Sequence, residues 1–93
     1  MKRAPMMQTS SNLGTAVDQS MVGRLLAMAH QYRGEGNVRQ ASEIYWTLAE
    51  SHAGTVQAEA AKGVLLAMAG EYERNGARRM ARSIYERLMD MGA

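Results

Sequence analysis

Cysteine is absent from the sequence, which excludes disulfides, thiolate metal sites and thiol nucleophiles. Its absence does not fix a compartment, because many cytoplasmic chains also lack it. Long hydrophobic runs are missing too: no stretch of about 18 apolar residues exists to cross a membrane. The opening Met1-Lys2-Arg3-Ala4-Pro5-Met6-Met7-Gln8 passes into Thr9, Ser10, Ser11 and Asn12 without the continuous apolar core of a signal peptide. A cytoplasmic, unanchored chain is therefore expected. Neither sign of charge dominates. Lys and Arg number 11 against 9 Asp and Glu, a net charge of +2, too small a surplus to point to nucleic acid by itself. What remains is 93 residues, 46% hydrophobic and 22% charged, enough for one small domain and too short for a multidomain enzyme.

Catalytic and metal-binding constellations are also lacking. His30 and His52 stand 22 residues apart, with no Cys, and no Asp close in sequence, to complete a metal site or an activated nucleophile. Gly34 and Gly36 neither follow a strand nor precede a lysine-bearing helix start, so they are turn residues and not a phosphate loop. No catalytic residue, metal, cofactor or small-molecule substrate is expected, and the chain is not expected to be an enzyme.

What the sequence does contain is a duplication. Shifted by forty positions, Gly23, Leu25-Leu26-Ala27-Met28-Ala29, Tyr32, Gly36, Arg39, Ala41, Ile44-Tyr45, Leu48 and Ala53 fall on the same residue types from Gly63 to Ala93. These are 14 identities in the 31 positions from 23 to 53, where unrelated segments give roughly two or three. All four tyrosines take equivalent places, two per unit.

The spacing inside each unit is helical. Leu25, Met28, Ala29 and Tyr32 follow i, i+3, i+4, i+7, as do Ala41, Ile44, Tyr45 and Leu48, and the second copy repeats both patterns. Helices are predicted at 19–34, 38–52, 56–74 and 77–90, with boundaries good to about two to four residues. Gly34-Glu35-Gly36-Asn37 and Arg74-Asn75-Gly76 place glycine where a helix ends in the left-handed conformation. Asn37, with Gln40 three residues on, is expected to cap the second helix. Connections this short make paired helices antiparallel neighbours. The helix-forming run Val56-Gln57-Ala58-Glu59-Ala60-Ala61-Lys62 extends the third helix towards its start and accounts for the forty-residue period. Residues 1–18, with Pro5, Gly14 and a Ser/Thr/Asn cluster, show no sustained period and are expected to be a mobile tail, or to order only against something else. The helical domain then spans 19–93, as repeat one (19–54) and repeat two (55–93).

These residues resemble tetratricopeptide repeats, in which an inner helix carries a large residue, a small one and a tyrosine, and a glycine turn leads to an outer helix whose alanine precedes an aromatic by four positions. Leu25, Ala29, Tyr32, Gly36, Ala41 and Tyr45 match in order and spacing, as do Leu65, Ala69, Tyr72, Gly76, Ala81 and Tyr85. The period exceeds the family's usual length of about 34 and is similar to that of long-period bacterial variants. Leucine replaces the tryptophan often found early in the inner helix, and the proline that commonly ends the outer helix is missing. The resemblance implies an all-α fold, two tandem antiparallel helix-turn-helix repeats forming a fragment of a right-handed α-solenoid. It further implies a groove lined by inner-helix positions Leu26, Ala27, His30, Arg33, Gly63, Leu66, Ala67, Gly70 and Arg74. Leucine, alanine and glycine stand where carboxylate-gripping members of the family carry lysine, asparagine and arginine, so an apolar helix or extended segment is the expected ligand, with Arg33 and Arg74 at the rim. The other reading of Leu26 and Leu66 is that they pack between repeats.

Repeat units are stabilised by stacking, and about three are usually needed. Roughly 73 residues in two units lie near the lower limit for a lone core. The last outer helix is expected to leave Met80, Ile84, Leu88, Met89 and Met91 unshielded, for a partner protein, a second copy, or a folded-back N-terminal tail to cover. Trp46 is expected at the edge of its helix, either as an interface anchor or folded against a neighbour. Arg74, Arg78, Arg79, Arg82 and Arg87 are read as making the last helix basic, but Glu71, Glu73, Glu86 and Asp90 are interleaved and Arg82 to Glu86 has the spacing of a surface ion pair, so nucleic acid is not the expected partner. The function expected is a non-catalytic protein-interaction adaptor or small assembly chaperone, the alternative a self-associating structural subunit.

Overall fold

A computed structural model describes residues 20–92, so the expectation for residues 1–18 lies outside the described residues. Among the described residues four helices follow one another: α1 over 20–34, α2 Val38–Ser51, α3 Val56–Arg74 and α4 Arg78–Gly92. Among the described residues all regular structure is helical. The predicted boundaries that fall on described residues agree within two residues, and α3 begins at Val56 as its helix-forming run requires.

Backbone chemistry closes both hairpin turns in the same way. Gly36 has φ +85° and Gly76 φ +84°. In the first turn the Gly36 N–H donates to the Arg33 carbonyl at 3.1 Å and the Asn37 N–H to the Tyr32 carbonyl at 2.8 Å. The second turn pairs Gly76 with Glu73 at 3.0 Å and Ala77 with Tyr72 at 2.8 Å. This paired pattern satisfies helix-end carbonyls that would otherwise lack donors, and it needs a residue free to adopt the left-handed conformation. The side-chain cap expected from Asn37 does not form; its amide donates to Glu35 Oε1 at 3.4 Å. Ala77, which has no capping group, holds the equivalent place in an equivalent turn, so the backbone pattern suffices. A side-chain cap occurs instead at the joint between hairpins, where Thr55 Oγ1 accepts from the Ala58 N–H at 3.0 Å and donates to the His52 carbonyl at 2.8 Å.

Packing centres on α3, which lies against both α2 and α4 and buries Ala58, Ala61, Leu65, Met68 and Ala69. Beneath it α2 buries Ala41, Tyr45, Trp46, Leu48 and Ala49, whereas α4 buries Ala81 alone. The small residues Ala29, Ala41, Ala69 and Ala81 are all buried, which lets paired backbones approach closely. Leu65→Ala is expected to lower the unfolding free energy by about 2–5 kcal/mol, and Leu25→Ala, at the matching but half-buried position, by clearly less. Gly36→Ala should cost about 1–2 kcal/mol while Gly34→Ala, where an added Cβ meets nothing within 4 Å, should not destabilise. Urea denaturation followed by circular dichroism checks both contrasts.

Candidate interaction surface

Where the two repeats carry the same residue, a difference in burial reports what lies beside it. Tyr45 and Leu48 are fully buried, but their counterparts Tyr85 and Leu88 are half-exposed. Leu26 is half-buried and packs against the core, whereas Leu66 is 53% exposed. The first repeat has α3 stacked on it. The second has nothing there among the described residues.

The result is an apolar cleft of about 580 Å³ between α3 and α4, lined by Glu59, Lys62, Gly63 and Leu66 on one wall and Tyr85, Leu88 and Met89 on the other. It unites residues expected in two different places: Gly63 and Leu66 from the groove, Leu88 and Met89 from the end face. Gly63 keeps its wall open, since no atom lies within 4 Å of where its Cβ would stand. Lys62 Nζ is held by Glu59 at 2.8 Å. The Tyr85 hydroxyl donates to Glu73 Oε1 at 2.7 Å, and that hydrogen bond, with the carboxylate's charge, raises the phenol above its ordinary value. Glu59, Lys62 and Tyr85 were not expected in a site; the signal for Tyr85 was its match to Tyr45 across the forty-residue shift.

The other groove residues do not line this cleft. His30 Nδ1 shares a 2.7 Å hydrogen bond with the Tyr45 hydroxyl, whose pKa is raised by burial against the lowering influence of Arg33. Arg33 Nη2 donates to Glu71 Oε2 at 3.4 Å, which ties α1 to α3. Ala27 is exposed and Gly70 half-buried, with the Arg74 guanidinium 3.4 Å from where a Cβ on Gly70 would stand. At the end face, Met89 is 72% exposed and Met80 also stands in solvent, while Ile84, Leu88 and Met91 pack partly against the core.

Trp46 is not an exposed anchor. It is 9% exposed, with the Arg87 guanidinium 4.2 Å from its ring centroid. Arg87 also grips Glu50 through two hydrogen bonds of 2.7 and 2.8 Å, so one side chain of α4 covers the indole and fastens the end of α2. The partners stand 37 residues apart, which hid the arrangement from local sequence reading. The expected Arg82–Glu86 pair is absent from the ion pairs of the described residues, which are Arg33–Glu71, Lys62–Glu59 and Arg87–Glu50.

No helix among the described residues is long and apolar enough to cross a membrane. No protein-family model matches the sequence, and no curated protein or solved structure matches it.

Hydrogen bonds from Arg87 hold the Glu50 carboxyl below its ordinary value of 4.5. A carboxyl that is more acidic folded than unfolded adds stability above the unfolded pKa, and this is lost as pH falls through the folded value. Glu50→Gln should therefore cost about 0.2–1 kcal/mol at neutral pH and flatten the acid limb of stability between about pH 5 and 3, as urea melts across that range would show. Arg87→Ala should red-shift the fluorescence of Trp46, the chain's one tryptophan.

Proposed function

We propose that this chain is a pair of tetratricopeptide-like repeats, a fragment of a right-handed α-solenoid, that acts in the cytoplasm as a non-catalytic protein-interaction module. In this reading it is an adaptor or small assembly chaperone, and the α3/α4 cleft receives an apolar helix of a partner. The observation that carries the proposal lies within the chain: the surface of repeat one matching the cleft is built from Gly23, Leu26, Tyr45 and Leu48, identical in type to Gly63, Leu66, Tyr85 and Leu88, and α3 is the helix stacked on that repeat. The face α3 buries, Ala58, Ala61, Leu65 and Met68, thus describes the ligand: small residues over one turn, then Leu and Met. Lys62 stands where repeat one has the buried Val22, which favours an acidic or polar group on the partner at that end.

A fluorescently labelled peptide with the sequence of Val56–Arg74 serves as the probe. Anisotropy titration should show saturable binding to the full chain, weakened at least tenfold by Leu66→Glu, about 1.4 kcal/mol or more, with circular dichroism unchanged. No binding, or equal binding by the folded variant, rejects the cleft as a helix-docking site.

A further inference from the structure

The two end faces of the repeat pair are near copies of two faces that already meet inside the chain. On the entering side, α3 buries Ala61, Leu65 and Met68. Forty residues earlier α1 carries Met21, Leu25 and Met28, and there Met21 is 53% and Met28 45% exposed, against 3% for Met68. On the receiving side, Leu26, Tyr45 and Leu48 pack in the core, while Leu66, Tyr85 and Leu88 line the open cleft. Each exposed face therefore shares its helical spacing and most of its residue types with a face that is already covered inside the same molecule.

We infer that the chain stacks head to tail on itself, with α1 of one copy seated in the α3/α4 cleft of the next. This rests on the reading of the cleft as a helix dock and names its occupant. The apposed faces are unlike each other, so the contact is heterologous and passes from copy to copy instead of closing as a symmetric pair. It is also weaker than the internal stack, for reasons visible in the substitutions. Met21 replaces Ala61 and Met89 replaces Ala49, so flexible thioethers fill space that alanines leave tight. The internal ion pairs are not reproduced: the counterparts of Arg33 and Glu71 are Glu73 and Gln31, and those of Glu50 and Arg87 are Asp90 and Thr47. Association is accordingly reversible, concentration-dependent and little affected by salt.

Sedimentation velocity of the full chain from about 10 µM to about 1 mM tests this. The mean mass should climb with concentration and not level off at a dimer. Met28→Glu and Leu66→Glu, each spoiling one face, should both be monomeric, and their equimolar mixture should form a dimer and nothing larger, because one good face of each kind remains. Met21→Lys and Met89→Lys, at exposed positions, repeat the experiment should either first variant lose helicity. A wild-type chain that stays monomeric overturns the proposal, as does a Met28→Glu variant that still dimerises through like faces, or a mixture that stays monomeric. If the wild type is monomeric yet binds the Val56–Arg74 peptide, self-stacking fails and the helix dock stands; if it binds neither, both fail.

Discussion

An amphipathic hairpin cannot cover its own apolar face, and the rest of this structure follows from that constraint. Within each repeat the alanine crossings close one side of the inner helix. The other side, Leu25 and Met28 or Leu65 and Met68, needs a neighbour. For α3 that neighbour is repeat one, and Leu65 and Met68 disappear beneath it. The chain's core is thus the junction between hairpins, where α2 and α3 bury ten residues between them and α4 buries one. Stability and exposed apolar surface have the same origin: the residue pattern that fastens repeat two to repeat one recurs at both ends.

The polar contacts follow the same division. Arg33–Glu71 and Arg87–Glu50 both run from one repeat to the other, and Arg87 additionally lies over Trp46. Such exposed pairs add modest energy, but they set the angle at which apolar faces meet and bias the chain towards one register. They are also the features that differ between the repeats, since Trp46, Glu50 and Arg87 have Glu86, Asp90 and Thr47 as counterparts. Apolar residues carry the repetition, and charged and aromatic ones distinguish the internal junction from its potential copies.

The helices were legible because each carries a 3.6-residue apolar period and the first three are followed by glycines in the left-handed conformation, Gly36, Gly54 and Gly76. The role of Asn37 was misread, because residue preference suggested a side-chain cap where two backbone hydrogen bonds and Gly36 already complete the turn. The groove was legible only as a set of helix positions. Sequence alone does not say that Leu26 packs into the core while the identical Leu66 stands open, since that difference depends on which repeat has another stacked upon it. Of the two readings of Trp46, the fold against a neighbour is the one found, and the sequence could not choose it for a related reason: its cover, Arg87, comes from a helix 37 residues beyond the carboxylate that anchors it.

Sulfur is distributed unevenly between the inside and the outside of this molecule. Met68 is sealed in the junction, whereas Met21, Met28, Met80 and Met89 face solvent, three of them on or beside the two faces proposed to dock. Peroxide converts accessible thioethers into polar sulfoxides. Mild oxidation would thus wet the exposed ends while sparing the interior, leaving a helical chain without the apolar contact on which the proposed stacking depends, a sequence of events that peptide mapping beside sedimentation would resolve.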